Sequence, residues 1–376
     1  MGGRHVGGIT RREWVHLVGV GMGLGVVGSI GGAEVVGAVP LLQAGQGQAA
    51  ATFPNGAIIR TLFADVPPAS MPRGAILFHE HLSMDLSRIA PPRPAGSPPP
   101  LPATTDDVDL IVKQVEAAAK DGVRCIVDGG HPDMDRDLDA LRQIAQRTGM
   151  LIVASGGYYT QATYPPDIAK KSEDQIADEL VREAAANRYG AFGEIGYLGN
   201  VTDLSPDEQK VLRAVGKAHV RSRLPVFTHN AYGTGPNVPK DIALRQLDIL
   251  ESVGAKPDRI AIGHTCCLDD PEAEIIIRIA RRGAFVGFDR VNTLERFVPD
   301  DKRVAMAVKL VNAGFADKLL LSSDFTGARN LEGPLYGRTV TVFAPKLRAA
   351  GIPDETVRRI LEDNPRRFLA FVPRQA

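Results

Sequence analysis

Eight times between Ala75 and Ala350 a short apolar run is followed, across a loop, by a segment of helical periodicity, and no other feature constrains the fold as strongly. The pairs are "AILF" with a helix over Asp106 to Lys120, "RCIVD" with Arg136 to Arg147, "LIVAS" with Glu173 to Asn187, and "AFGEI" with Asp207 to Arg221. They continue with "PVFTH" and Lys240 to Val253, "RIAIGH" and Pro271 to Arg282, "AFVGF" and Asp301 to Asn312, and "KLLLSSD" and a late helix near Thr339 to Ala350. Eight strand–helix units in roughly 300 residues predict an α/β protein of the (β/α)8 TIM-barrel type rather than an open doubly wound sheet. "IIRTLF", in the lead-in from Ala51 to Arg73, predicts a strand or hairpin over the bottom of the barrel. "NPRRFLAF" predicts a terminal helix that closes it, with Asn364 as its cap before Pro365.

The first 50 residues stand apart. Arg11 and Arg12 directly precede a weakly apolar, glycine-rich run, the pattern of a twin-arginine export signal with cleavage between Ala44 and Ala51. Glycines, Glu34 and Pro40 interrupt the run, which argues against a stable membrane anchor and predicts an exported, periplasmic protein whose barrel spans 51–376. Gly23, Gly25 and Gly28 have the spacing of a dinucleotide loop but lack the βαβ context that would give it meaning. Lys plus Arg and Asp plus Glu both number 44, so no basic surface speaks for nucleic acid, and a small substrate fits better. Cys125, Cys266 and Cys267 form no disulfide framework.

The polar residues gather at strand ends. "AILFHEHL" finishes an apolar run with His79, Glu80 and His81, and strand alternation puts the two histidines on one face and Glu80 on the other. Glu194 ends the fourth strand, His229 the fifth and His264 the sixth, and Asp324 follows the eighth. Alone, each has an ordinary explanation: a helix cap for Glu194 or Asp324, a loop start for His229. In a barrel the carboxyl ends of the strands converge on one face, so these six residues, nearly 250 positions apart at the extremes, meet there.

Four imidazoles and two carboxylates suit a pair of divalent ions. The expected arrangement has His79, His81 and Asp324 around one ion, His229 and His264 around the other, and Glu194 bridging with its two oxygens. Two close cations lower the proton affinity of a shared water enough to make hydroxide a nucleophile near neutral pH, with Asp324 taking the proton.

Through "FHEHL", "GVRCIVDGG", "GEIG", "PVFTH", "IGH" and "SSD", the chain resembles the phosphotriesterase family of the amidohydrolase superfamily from about Ile76 to Phe371. The resemblance implies a binuclear hydrolase barrel, usually loaded with zinc and alternatively with manganese or cobalt, and supports the six metal ligands residue by residue. Barrels of this family often pair, so a homodimer is among its implications. The organophosphate-degrading members bridge their metals with a carbamylated lysine on strand four. Here "AFGEIGY" offers Glu194, as in the phosphotriesterase homology proteins, which turns attention from phosphotriesters to esters and lactones. "ASGGYYTQATYPP" and "GFDRVNTLERFVPDDKR" resemble the lactonase-like branch, where a tyrosine and an arginine in these places line the pocket. Tyr158 or Tyr159, and Arg290, are accordingly expected to position substrate; the alternatives are core packing for the tyrosines and an ion pair with Asp289 for Arg290.

The expected activity is hydrolysis of an ester or lactone by metal-bound hydroxide, with a phosphotriester as the alternative substrate. A barrel that binds metal or ligand without turnover is the alternative of another class. A serine hydrolase is disfavoured because no G-x-S-x-G elbow occurs. His131 in "HPDMD" reads as a loop residue, with a supporting place beside the site as the alternative, and His219 as structural; Phe325, Thr326 and a loop carrying Gly327, Gly333 and Gly337 are expected to face substrate.

Overall fold

The structure is a computed structural model that describes residues 51–86, 107–196, 204–230, 239–291, 298–326 and 335–374. The expected export segment, the proline-rich loop from Pro91 to Pro102 and the loop holding Gly327 and Gly333 lie outside the described residues. Among those described, no helix is long and apolar enough to cross a membrane.

Ten strands form. β1 (Ile59–Arg60) and β2 (Asp65–Val66) make an antiparallel hairpin, as "IIRTLF" suggested. The other eight are β3 (Ala75–Glu80), β4 (Val123–Asp128), β5 (Leu151–Gly156), β6 (Ala191–Gly196), β7 (Val226–His229), β8 (Ile260–Ile262), β9 (Phe285–Phe288) and β10 (Leu319–Leu321). They pair in parallel in chain order from β3 to β10. The seam between first and last is tied at its carboxyl end, where the amide of Asp324 donates to the carbonyl of His79 (3.3 Å) and the amide of His79 to Oγ of Ser322 (3.1 Å). This is the eight-stranded barrel the rhythm predicted.

Helices α1 (Val108–Lys120), α2 (Leu138–Thr148), α3 (Glu173–Asn187), α4 (Pro206–Ser222), α5 (Ile242–Ser252), α6 (Glu274–Arg281) and α7 (Asp300–Leu310) lie where expected to within a few residues. Their starts are chemically marked. Asp107 and Asp137 accept first-turn amides, and Ser172 and Ser205 form capping boxes with Gln175 and Glu208. The late helix opens with a wide turn over Thr339–Phe343 before α8 (Ala344–Ala349), and α9 (Asp354–Leu361) was not foreseen. In α10 (Asp363–Leu369), Asn364 is inside the helix rather than its cap. Its amide reaches out to the carbonyls of Ala316 and Leu319, both 2.8 Å away, and thereby ties the helix to the barrel.

The core has two layers. Ile76, Phe78, Cys125, Val127, Val153, Phe227, Ala261 and Leu320 belong to a cluster inside the barrel, floored by Phe368 and Leu369 of α10. The rings of Phe78 and Phe368 meet edge to face at 6.2 Å. The alternate strand residues, such as Leu77, Ile126, Phe192 and Val286, pack outward against the helices.

Two irregularities in strand pairing aim the polar residues. On β3, Leu77 pairs with Ile126 and Glu80 with Asp128, so three steps on one strand match two on the other. On β6, Phe192 pairs with Val226 and Ile195 with Thr228, again three steps against two. Strict alternation from Ile76 and Phe78 would carry Glu80 into the barrel and leave His79 outside. The extra residue inverts this. His79 instead lies 4.9 Å from the ring of inward-facing Phe227.

Candidate metal centre

Glu80 turns to the barrel seam, where Oε1 accepts from the Ser322 hydroxyl (2.9 Å) and the Ser323 amide (2.7 Å), and Oε2 from the Phe325 amide (2.9 Å). Its neighbours face the mouth. Nε2 of His79 and of His81 stand 3.4 and 3.3 Å from Oε2 of Glu194, and Nε2 of His81 is 3.1 Å from Oδ1 of Asp324. The other oxygen of Glu194, Oε1, lies 2.8 Å from Nε2 of His264 and also meets Nδ1 of His229. All six residues are buried. The ligand atoms of His79, His81, Glu194 and Asp324 lie within 4.8 Å of one another, as do those of Glu194, His229 and His264. The two groups share Glu194.

Small residues make the convergence sterically feasible. A Cβ on Gly129, at the end of β4, would stand 3.0 Å from the His79 ring and 3.2 Å from that of His81. One on Gly193, at φ 159°, would stand 2.4 Å from the Phe227 ring. His264 and Asp324 have φ of 54° and 47°, a left-handed conformation that costs a side chain of this kind about 1 kcal/mol or more and recurs at functional sites.

The donor set fits divalent cations. Nε2 of His79, Nε2 of His81 and Oδ1 of Asp324 are buried and make no well-formed hydrogen bond among the described residues, an arrangement that native interiors avoid unless something else occupies those lone pairs. Burial opposes charge on His81 and His264, yet Asp324 and Glu194 raise the pKa of the first to about 9, and Asp289 and Glu194 raise that of the second to about 9. His229 goes the other way, to about 4, through burial and the positive charge of His264 and Arg290, although Glu194 opposes that. The carboxylates thus create a field that draws positive charge into the cluster.

Asp289, which sequence inspection considered only as a partner for Arg290, does something else. Its Oδ2 is 2.8 Å from Nδ1 of His79, and Oδ1 accepts from the His264 amide (2.7 Å) and lies 3.1 Å from Nδ1 of His264. Against the upward push of burial, the two imidazoles hold this carboxyl below the ordinary range. An ionised Asp289 fixes one proton of each ring on Nδ1 and turns each Nε2 toward the cluster, where a cation would take its lone pair in place of the second proton. Arg290 pairs with Asp324 instead, Nε to Oδ2 at 2.7 Å.

The tyrosines separate. Tyr159 is buried with its ring edge to face with His229 at 4.8 Å and its hydroxyl 3.5 Å from Nε2 of that histidine. Tyr158 is not brought to the cluster: it packs against Tyr164 at 6.2 Å, and its hydroxyl feels Glu183 and Glu179 of α3. Adjacent residues leave a strand end on opposite sides, so one tyrosine could enter. His131, read from sequence as a loop residue, is fully buried, with Nδ1 3.1 Å from Oδ1 of Asp133. His219 is structural as expected, its Nδ1 bonding the Leu224 carbonyl at 2.7 Å. Phe325 packs on Tyr336 at 5.2 Å. Cys125, Cys266 and Cys267 are free thiols.

A parallel eight-stranded barrel carrying imidazoles and carboxylates at the carboxyl ends of its strands defines the class of metal-dependent barrel hydrolases. The model of the phosphotriesterase family matches residues 59–369, and the chain belongs to that family. It is accordingly a metal-dependent hydrolase. The chain is 29% identical to the phosphotriesterase homology protein of Escherichia coli strain K12, over 79% of this chain and 98% of that one. It is 28% identical to an aryldialkylphosphatase of Saccharolobus solfataricus, over 79% and 95%. Among solved structures it resembles a resiniferatoxin-binding protein from Rhodobacter sphaeroides, with a TM-score of 0.73, 28% identity, and coverage of 84% of this chain and 95% of that one.

Proposed function

We propose that this protein is a binuclear metal-dependent hydrolase of carboxylic esters or lactones. The observation that carries the proposal is the division of Glu194, whose Oε2 faces His79 and His81 while Oε1 faces His229 and His264. In this reading His79, His81 and Asp324 hold one divalent ion, His229 and His264 the other, and Glu194 bridges them; zinc is the first choice, manganese and cobalt the alternatives. When bound, such a pair supplies a water acidic enough to attack near neutral pH and a Lewis acid for the substrate oxygen.

The remaining work falls to the chain. Asp289 orients His79 and His264, so their lone pairs need no reorganisation. Asp324 receives the proton lost by the attacking water and returns it to the departing alkoxide, so that ester and water become acid and alcohol. Arg290, 2.7 Å from Oδ2 of Asp324, keeps that carboxylate in place and offers positive charge to the substrate. The Tyr159 hydroxyl, beside His229, is placed to donate a hydrogen bond to the carbonyl oxygen as negative charge develops there.

The aryldialkylphosphatase relative supports a phosphotriester as the alternative substrate. The test is turnover of lactones, aryl esters and organophosphate triesters by the zinc- or manganese-loaded chain, with Asp324→Asn at equal metal content as control. Carbonyl substrates turned over best, with a loss of about 10²–10⁴-fold in the control, is the expected result. A phosphotriester turned over best would select the alternative, and full metal without any turnover would move the assignment to a ligand-binding barrel.

A further inference from the structure

The His131–Asp133 pair lies outside the metal cluster and has no part in the chemistry above. Asp133 is a buried carboxylate with three donors. Oδ1 takes Nδ1 of His131 at 3.1 Å, and Oδ2 takes the amide of Tyr159 at 2.9 Å and the hydroxyl of Thr163 at 2.7 Å. A buried carboxylate is tolerable only with such donors, and here they come from two different loops, the one after β4 and the one after β5.

The contacts converge on Tyr159. Its amide is held by Asp133, and its carbonyl accepts from the amide of Gly196, two residues beyond Glu194, at 3.0 Å. Its side chain packs with Met84 and Met134. Met134 is itself fixed, donating to the His131 carbonyl (2.9 Å) and accepting from Asp85 (2.9 Å). The loops after the first three barrel strands are therefore joined beneath one phenol ring. The Asp133 bond holds the backbone of Tyr159 from the side of β4, and it comes from a charged acceptor, the stronger kind.

We infer that Asp133 is a positioning residue for Tyr159, and that His131 locks Asp133 in that role. The inference rests on the reading of Tyr159 as a substrate-facing group. An asparagine at position 133 keeps a single acceptor oxygen and carries no charge, so the Tyr159 amide loses its charge-assisted bond and His131 keeps a partner only by giving up its Nδ1 proton. Held by this weaker anchor, the ring of Tyr159 would lose its fixed placement against His229, and substrate would bind more weakly without loss of metal.

A double-mutant cycle tests this on the zinc-loaded full chain with an aryl ester, comparing Tyr159→Phe, Asp133→Asn and the double variant at equal metal content. If Asp133 acts through Tyr159, each single variant raises KM about tenfold and the double variant is also about tenfold worse, not about a hundredfold. Multiplying effects, or an Asp133→Asn enzyme with unchanged KM, would overturn the inference while leaving the proposed hydrolase intact. A Tyr159→Phe enzyme equal to the native one would remove Tyr159 from the proposed function and this inference with it. Should Asp133→Asn fail to fold, His131→Gln takes its place in the cycle. A readout independent of turnover is the fluorine resonance of Tyr159 in 3-fluorotyrosine-labelled protein, assigned by its disappearance in Tyr159→Phe. It is expected to shift in the Asp133 or His131 variant, and an unmoved resonance would overturn the inference.

Discussion

The guanidinium of Arg290 stands 2.7 Å from Oδ2 of Asp324, inside the ring of histidines and shielded from water. A buried ion pair is costly to break from one side, because the remaining charge is left without compensation, at about 3–5 kcal/mol. Arg290→Leu is therefore expected to destabilise the metal-free chain, though by less than that amount because His81 still stands 3.1 Å from Oδ1 of Asp324, and to destabilise the metal-loaded chain far less again, since a cation held by Asp324 would compensate the carboxylate. Urea unfolding with and without chelator measures the difference; an equal loss in both states would show that Asp324 does not hold metal.

Asp289 bonds the Nδ1 atoms of both His79 and His264, one histidine from each half of the cluster. Asp289→Ala is expected to weaken metal affinity about 10–100-fold through lost ring orientation, with the six proposed ligands unchanged. Competition with a calibrated chelator reads this directly. Unchanged affinity would make Asp289 a packing residue only.

His219 gives a pH dependence away from the cluster. Burial, with the charge of Arg259, pushes its imidazole below the ordinary 6.5, although the Leu224 carbonyl opposes that. Between the lowered folded value and 6.5 the unfolded chain binds more protons. The stability that neutral His219 contributes is therefore complete above 6.5 and is lost as the pH falls below it. The fall in unfolding free energy from about pH 7.5 to about pH 5.5 should be smaller in His219→Gln than in the native chain. An identical fall in both would sink the assignment.

Much of this was open to inspection of the sequence, for a physical reason. Barrel strands are buried on both faces, so a histidine or carboxylate ending such a run stands out, and parallel order alone brings those ends together. What escaped was parity and pairing. Nothing in "AILFHEHL" or "AFGEIG" announces the extra residue that turns His79 and Glu194 inward, because a bulge is set by the neighbouring strand's register. Asp289 escaped because its role depends on β9 lying beside β8 and near β3, though a carboxylate ending a strand next to a histidine-bearing one was a usable signal. Tyr158 and Tyr159 were indistinguishable without the backbone of their loop. Helix α9 escaped because its apolar positions Val357, Ile360 and Leu361 span little more than one turn.

The bridge at Glu194 is the central claim, and metal content tests it most directly. The native chain, reconstituted with zinc and freed of loose metal, is expected to hold two ions per chain by mass spectrometry or atomic absorption, and Glu194→Ala no more than one, with activity lost alongside. A native chain that saturates at one ion, or a Glu194→Ala chain that still holds two and turns over substrate, would contradict the account.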